Sequence, residues 1–313
     1  SLTNRRRRCH PLELSRVDRD RGRLKVHGPA VPHQVATTDR FGTGQAPRSP
    51  GEIRGTLACL ECNDIRSEEA FETQCLLLCA EPGFPQESSP GVPSLESFPD
   101  DEEELFASDV IIFGDVNLNE LSRDPRQANR ALAMVRKFVE GGGGFAMIAG
   151  DRFSPQAFKD TPVGEILPII NDPSETSSLG EEGGSAFRLQ VSEVGRSDPL
   201  MQLVSDPEQN VRIWEGIDSE YRLDDSFWFA RVKKAKPGAR VLATHAAERN
   251  IHGAYPIIVA GTYGDGPVFF IAIDDTWAWY RHHGAFFFHR FWGNVVRHLA
   301  RTKLFAGDKR FRL

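Results

Sequence analysis

The chain has 313 residues, 40% of them hydrophobic and 26% charged, with a net charge of −6 and a pI near 5.9. This is an ordinary globular composition, long enough for one large α/β domain or two smaller ones. The acidic balance gives no reason to expect a nucleic-acid partner, and no run of about 18 apolar residues is present to span a membrane.

The charge is unevenly spread. Residues 1–54 hold twelve Arg/Lys against five Asp/Glu, a surplus of +7 that leaves −13 on the remainder. The start, Ser1-Leu2-Thr3 without a Met, reads as non-native and is set aside. The segment has Arg5–Arg8 at its head, few apolar residues and no periodicity, so it buries too little surface to offset its ordering entropy. Residues 1–54 are therefore expected to form a disordered or poorly packed extension, and 55–313 the folded domain. A basic arm for RNA or anionic lipid is an alternative use of Arg5–Arg8 and ranks last. All five cysteines, Cys9, Cys59, Cys62, Cys75 and Cys79, fall in the first 80 residues. Their spacing superficially resembles a zinc pattern. Cys75 and Cys79, however, sit in an apolar stretch that reads as a buried strand, where free cysteine serves as a small core hydrophobe. No metal and no cofactor is expected.

Regular patterning begins near residue 55. Gly55–Cys62 is expected as a weak first strand and Phe71–Ala80 as a firmer one. A Pro- and Gly-rich loop follows, and then Asp100-Asp-Glu-Glu-Glu104, whose acidity suits the first turn of a helix better than a metal site. Asp109–Asp115 is a short apolar run of the kind buried on both faces. Arg126–Glu140 spaces Leu132, Val135, Phe138 and Val139 as one face of a helix. Gly141 is expected as its left-handed C-cap. Phe145–Ala149 completes a right-handed βαβ unit. The glycines 141–144 run from helix to strand, so they do not form a phosphate cradle, which runs from strand to helix.

Ser154-Pro155 signals another helix start, with Ser154 as cap. Thr161–Ile170 reads as a short helical piece, and Asn171–Gly184 as a polar loop. Phe187–Val194, Val211–Trp214, Ser226–Val232 and Ala239–Thr244 read as strands or extended segments. Tyr255–Gly261 and Pro267–Asp274 flank a Gly264-Asp-Gly266 turn that signals a hairpin. The final helix, Ala285–Arg301, lines up Phe288, Phe291, Trp292, Val295, Val296 and Leu299 as core. The chain stops at Phe311-Arg-Leu313 without a tail, as expected of a piece of a longer parent.

Several of these stretches, in order, carry a resemblance: Phe98-Pro-Asp-Asp-Glu-Glu-Glu-Leu-Phe, Asp109-Val-Ile-Ile-Phe-Gly-Asp-Val, Phe138-Val-Glu-Gly-Gly-Gly-Gly, Gly264-Asp-Gly-Pro-Val-Phe-Phe-Ile-Ala-Ile-Asp-Asp-Thr-Trp-Ala-Trp and His289-Arg-Phe-Trp. Together, over about residues 71–313, they are similar to the class I glutamine amidotransferase-like domain of large bacterial membrane-anchored proteins, related to trehalose-utilisation-type domains. The resemblance implies a flavodoxin-like three-layer α/β/α sandwich, its sheet mostly parallel with some antiparallel strands toward the C-terminus. It also implies glutamine hydrolysis by a cysteine on a strand-to-helix elbow, activated by a histidine. Here the elbow window Ala149–Asp151 holds no cysteine, and none occurs after Cys79. The family's first strand is poorly matched by 55–70. The resemblance therefore implies a non-catalytic domain, a binding or assembly module of an envelope-associated protein.

The remaining chemistry gathers at expected strand ends. Asp115, Asp151, Arg152, Asp274 and Asp275 would form an acidic pocket with one arginine if their strands are neighbours, suited to a cation or a general acid–base pair. Taken singly, each Asp is equally well a cap of the following turn. Trp277, Trp279, Tyr280, Arg281, His282 and His283 add an aromatic and basic cluster; Trp277 and Arg281 are the members placed at the candidate site, beside a sugar or another polar ring. The partner expected is a small ligand or a protein.

Overall fold

Strands buried along their whole length need a layer of protein on each face. A computed structural model of the chain describes residues 53–58, 71–78, 85–171, 186–218, 220–280 and 285–307, all within one unit, Gly51–Leu313. Residues 1–52 of the expected basic extension and Cys9, Cys59, Cys62, Cys79, Arg281, His282 and His283 lie outside the described residues, while Ile53 and Arg54, expected in the extension, begin a strand.

The strands are β1 (Ile53–Ala58), β2 (Phe71–Cys75), β3 (Val110–Phe113), β4 (Gly144–Ile148), β5 (Ile169–Ile170), β6 (Leu189–Val191), β7 (Lys234–Ala235), β8 (Arg240–Asn250), β9 (Gly253–Tyr263) and β10 (Gly266–Ile271). The helices are α1 (Glu102–Phe106), α2 (Leu118–Leu121), α3 (Pro125–Glu140), α4 (Pro162–Ile166), α5 (Glu193–Ser197), α6 (Pro207–Trp214) and α7 (Phe286–Gly307). Eight strands form one sheet in the order β2-β1-β3-β4-β10-β9-β8-β6, and β5 pairs with β7 alone. The first five strands of that order are parallel neighbours and follow the flavodoxin sequence. From β10 onward the pairing is antiparallel, so the sheet is mixed and less parallel than expected.

Side-chain alternation shows the three layers. Neighbouring residues of β4 point to opposite faces. On one face Phe145 meets Phe113, with ring centroids 5.3 Å apart, and Phe113 meets Phe98 and Phe158. On the other face a Cβ at Gly144 would lie 2.4 Å from the Leu299 carbonyl oxygen of α7, and Phe269 of β10 packs on Phe291 and Trp292 of the same helix. Helix α3 takes the first face, since a Cβ at Gly266 would strike the Val139 carbonyl oxygen at 2.1 Å. The apolar stripe of α3 is buried as its spacing requires, with Leu132, Val135, Phe138 and Val139 all but inaccessible. Each such side chain contributes roughly 1.5–3 kcal/mol.

The glycine run after α3 works differently from the sequence expectation. Gly141 has φ −83°, within reach of any residue. The left-handed residue is Gly142, at φ +100°. Gly143 and Gly144 are small for contact reasons: a Cβ would lie 2.3 Å from the Phe138 ring at the former and against Leu299 at the latter.

Of the expected extended segments, one is corrected and another is extended without being a strand. Val211–Trp214 belongs to helix α6, opened by Pro207 and capped by Asp206, which accepts from the Gln209 N–H at 2.7 Å. Asn210 and Trp214, one turn apart, both donate to the Met201 carbonyl oxygen, at 2.9 and 2.7 Å, so helical spacing satisfies groups that a strand would separate. Ser226–Val232 is extended but joins no ladder. It is held by a bridge between Phe187 and Ser226 and by the Ala230 N–H on the Ala272 carbonyl, 2.7 Å away. Phe71–Ala80 is shorter than expected, its strand ending at Cys75.

The acidic run before α1 is a helix start. Asp101 caps it, accepting from the Glu104 N–H at 2.8 Å. Asp101→Ala is expected to cost about 1 kcal/mol in urea denaturation, the usual loss for a deleted N-cap.

Candidate functional site at the strand ends

Because β3, β4 and β10 are parallel neighbours, the loops at their carboxyl ends meet. Gly114-Asp115 leaves β3, Ala149–Ser154 leaves β4, and Asp274-Asp275 follows β10. The acids singled out from the sequence are thus brought to one end of the sheet, where they divide into two kinds.

Asp115 is engaged with backbone. Its Oδ1 accepts from the Phe153 and Ser154 N–H groups, both at 2.8 Å, and its Oδ2 from the Arg152 N–H at 3.2 Å. Gly150 permits this, since a Cβ there would lie 2.2 Å from Cβ and Cγ of Asp115. Ser154 completes the corner. Its hydroxyl donates to the Gly114 carbonyl at 2.7 Å, and its own carbonyl accepts from the Gly150 N–H at 2.9 Å. Ser154 is therefore not the helix cap expected from Ser-Pro: the short 3₁₀ turn Gln156–Phe158 that follows has no side-chain cap. The hydroxyl reaches across to β3 instead of forward along the chain. Asp151 and Arg152 stand exposed at the outer edge of the same corner.

Asp274 and Asp275 are the strained acids. Burial among neighbouring protein, then the charges of Asp275, Asp151 and Asp115, push the Asp274 carboxyl up to about 7. The residue is nonetheless exposed, so the carboxyl is not enclosed. Burial also pushes Asp275 up to about 6, against hydrogen bonds from the Ser226 hydroxyl at 3.0 Å and the Phe227 N–H at 3.3 Å. Asp275 thereby ties the extended segment 226–232 to the end of β10. Trp277 is half-buried beside it. Trp279 turns into the core, edge-on to Trp214 and Phe291 at 5.5 and 5.4 Å. Thr276 is buried and accepts from the Trp292 indole N–H at 3.2 Å, anchoring the loop to α7.

Among the described residues, only Asp100, Asp101 and Glu104 bring three carboxylates within 4.8 Å of one another, on the exposed start of α1. The strand-end acids influence one another electrostatically without converging on a single ion.

Two parts of this end went unread in the sequence. Ser226 and Phe227 gave no signal, because their link to Asp275 spans 49 and 48 residues. The arm formed by β8 and β9 had one, a two-residue turn between Asn250 and Gly253. Ile258 of β9 pairs with Ile271, the last residue of β10, so residues 253–257 project past that strand on the side of Asp274. The arm is braced by Arg231 on Glu248 at 2.8 Å and by the Asn250 side-chain amide on the Lys233 carbonyl at 2.8 Å. His245 is buried at its root. It stacks on Phe187 at 4.2 Å and accepts the Ala247 and Glu248 N–H groups on Nδ1 at 3.1 and 2.8 Å.

Sheet order, layers and strand-end loops define a flavodoxin-like α/β domain with an acidic face at the carboxyl ends of its parallel strands. Among solved structures the chain is similar to a cytoplasmic protein from Salmonella typhimurium LT2, with TM-score 0.54 and 17% identity over 79% of this chain and 99% of that one. That likeness shows the shared fold. The neighbours also include a glutamine amidotransferase, with TM-score 0.41 and 12% identity over 80% of this chain and 99% of that one. A ThuA-like protein from Parabacteroides merdae has TM-score 0.40 and 13% identity over 80% of this chain and 90% of that one. No family model matches the chain, and no curated protein matches it.

Proposed function

We propose that this is a non-catalytic amidotransferase-like domain that binds a partner or ligand at the carboxyl ends of β3, β4 and β10. The observation that carries the reading is the state of the corner after β4. A glutaminase of this class needs a thiolate on that turn and free backbone N–H donors to hold the oxyanion. The turn here is Ala149-Gly150-Asp151, without a nucleophile. The N–H groups of Arg152, Phe153 and Ser154 already point at the carboxylate of Asp115, an anion supplied by the chain itself. Hydrolysis has neither its attacking group nor its charge sink.

The place of such a module would be in a larger envelope-associated protein, a reading supported by the motif resemblance. No helix among the described residues is long and apolar enough to cross a membrane. Purified protein incubated with glutamine is expected to release no ammonia above buffer; release abolished by mutation of the Gly150–Ser154 corner would overturn the reading.

A second reading is favoured by the elevated acids. A carboxyl group titrating near 7, as at Asp274, is suited to general-acid chemistry or to a metal or carbohydrate ligand. Thermal-shift measurements with divalent cations and sugars test it, and stabilisation lost in Asp274→Asn would support it over the first.

A further inference from the structure

Seven large apolar side chains are exposed among the described residues, and one of them, Phe227, adjoins the strand-end acids directly. Phe227 is 59% exposed and follows Ser226, the residue clasped by Asp275. Ile251, at the tip of the β8–β9 arm, is 92% exposed, and Phe286 opens α7 at 59%. Ile217 and Tyr221 belong to the loop after α6, which Tyr221 closes against Phe287 with ring centroids 6.3 Å apart. Leaving such side chains in water has a cost that a covering surface would recover.

The charge on this face indicates what would cover it. The groups acting on Asp274 are Asp275, Asp151 and Asp115, all carboxylates, and Asp275 feels Asp224 in turn. Asp115 is satisfied by backbone; Asp151 and Asp274 are open to water. These oxygens are too dispersed to share one small ion, since no three of them come within 4.8 Å. A planar guanidinium is a better fit, because it presents five donors over a broad fork and stacks on aromatic faces of the kind Phe227 exposes.

We propose that the strand-end face docks an arginine-bearing polypeptide segment, its guanidinium set between Asp151 and Asp274 and its apolar neighbours laid on Phe227. This rests on the binding reading above and names the class of partner. Complementary charge would set orientation and association rate, and the exposed Phe227 ring would supply apolar area to bury.

The test uses the full chain and a capped nonapeptide alternating leucine and arginine, followed by fluorescence anisotropy at low and physiological salt. Backbone NMR shifts report where it lands. Binding is expected, with shifts at residues 151, 226–227 and 274–275. It should weaken at least tenfold in Asp274→Asn and in Phe227→Ser, and it should be unaffected by neutralising Asp100, Asp101 and Glu104 on α1. Phe227 is exposed, so its replacement leaves the fold intact, and circular dichroism checks both variants. Equal binding of a leucine–glutamate peptide, equal losses from the α1 variant, or no binding would overturn the proposal. Magnesium chloride producing the same local shifts while the peptide produces none would also overturn it, yet leave the binding reading standing. Self-association that competes with the peptide and is lost in Phe227→Ser would replace the proposed partner by a second copy of the chain. Ammonia release from glutamine strikes at the function itself and is measured separately.

Discussion

Gly150→Ala is expected to destabilise the domain by about 3–4 kcal/mol, among the larger effects of a single methyl group. The new Cβ would sit 2.2 Å from Cβ and Cγ of Asp115, and neither is the far end of a flexible side chain. Asp115 cannot retreat without releasing three backbone N–H groups, each worth about 1.5–3 kcal/mol to a charged acceptor when water does not replace it. Overpacking of this kind alone costs roughly 1–3 kcal/mol. The cause can be isolated. Asp115→Gly removes both offending carbons and is expected to cost about 2 kcal/mol by itself, since the freed N–H groups of exposed Arg152 and half-buried Phe153 can turn to water and only that of buried Ser154 is left without an acceptor. Asp115→Ala keeps the Cβ and would not serve. In the double variant, Gly150→Ala should then add little. Urea denaturation of the four proteins gives the coupling directly. Additive losses would mean that Gly150 is required for a reason other than Asp115.

The second large effect has the opposite sign. Asp274→Asn is expected to stabilise the protein at pH 8 by about 1–2 kcal/mol and to change little at pH 4. The folded carboxyl titrates near 7, above its ordinary value of 3.8. Between those values the native state binds more protons than the unfolded chain, so stability falls as pH rises through the window and stays low above 7. A shift of this size would correspond to more in a sealed site, but the side chain reaches water and the effect is screened. Asparagine removes the charge and with it this pH dependence. Carboxyl-carbon NMR follows the titration of Asp274 in the wild type directly. Two histidines act the other way. Burial, with Arg301 and Arg240 nearby, pushes His298 down to about 4, and burial lowers His245 below its usual 6.5. They withdraw stability as pH falls below 6.5, so the comparison is made as the difference between wild type and variant at each pH. No gain at pH 8 would mean that Asp274 already has a cationic partner.

Asp115 and Asp274 contrast within one sheet. Both are acids just past a buried strand, and they are indistinguishable in the sequence. One is engaged by the chain's own backbone, and the other carries a carboxyl raised to about 7 by burial and neighbouring acids.

Much of the fold follows from local pattern. Continuous apolar runs mark β3, β4 and β10 because a strand covered on both faces has no polar side to display. The spacing of Leu132, Val135, Phe138 and Val139 marks α3 because a helix returns to the same face every 3.6 residues. The turn Gly264–Gly266 sets the β9–β10 hairpin, and the acids at the strand ends are legible from position alone. Tertiary structure decided what lies beyond the reach of a turn. It seated the Asn210 and Trp214 side chains of α6 on the Met201 carbonyl, turned Ser154 from a cap into a cross-strand donor, and clasped Ser226 with Asp275. It also assigned the two roles of the acids, because a carboxylate is satisfied or left in want by groups far away in the chain, 37–39 residues away for Asp115. Local periodicity records which face a residue occupies; only the packed sheet determines which backbone or side chain meets it there.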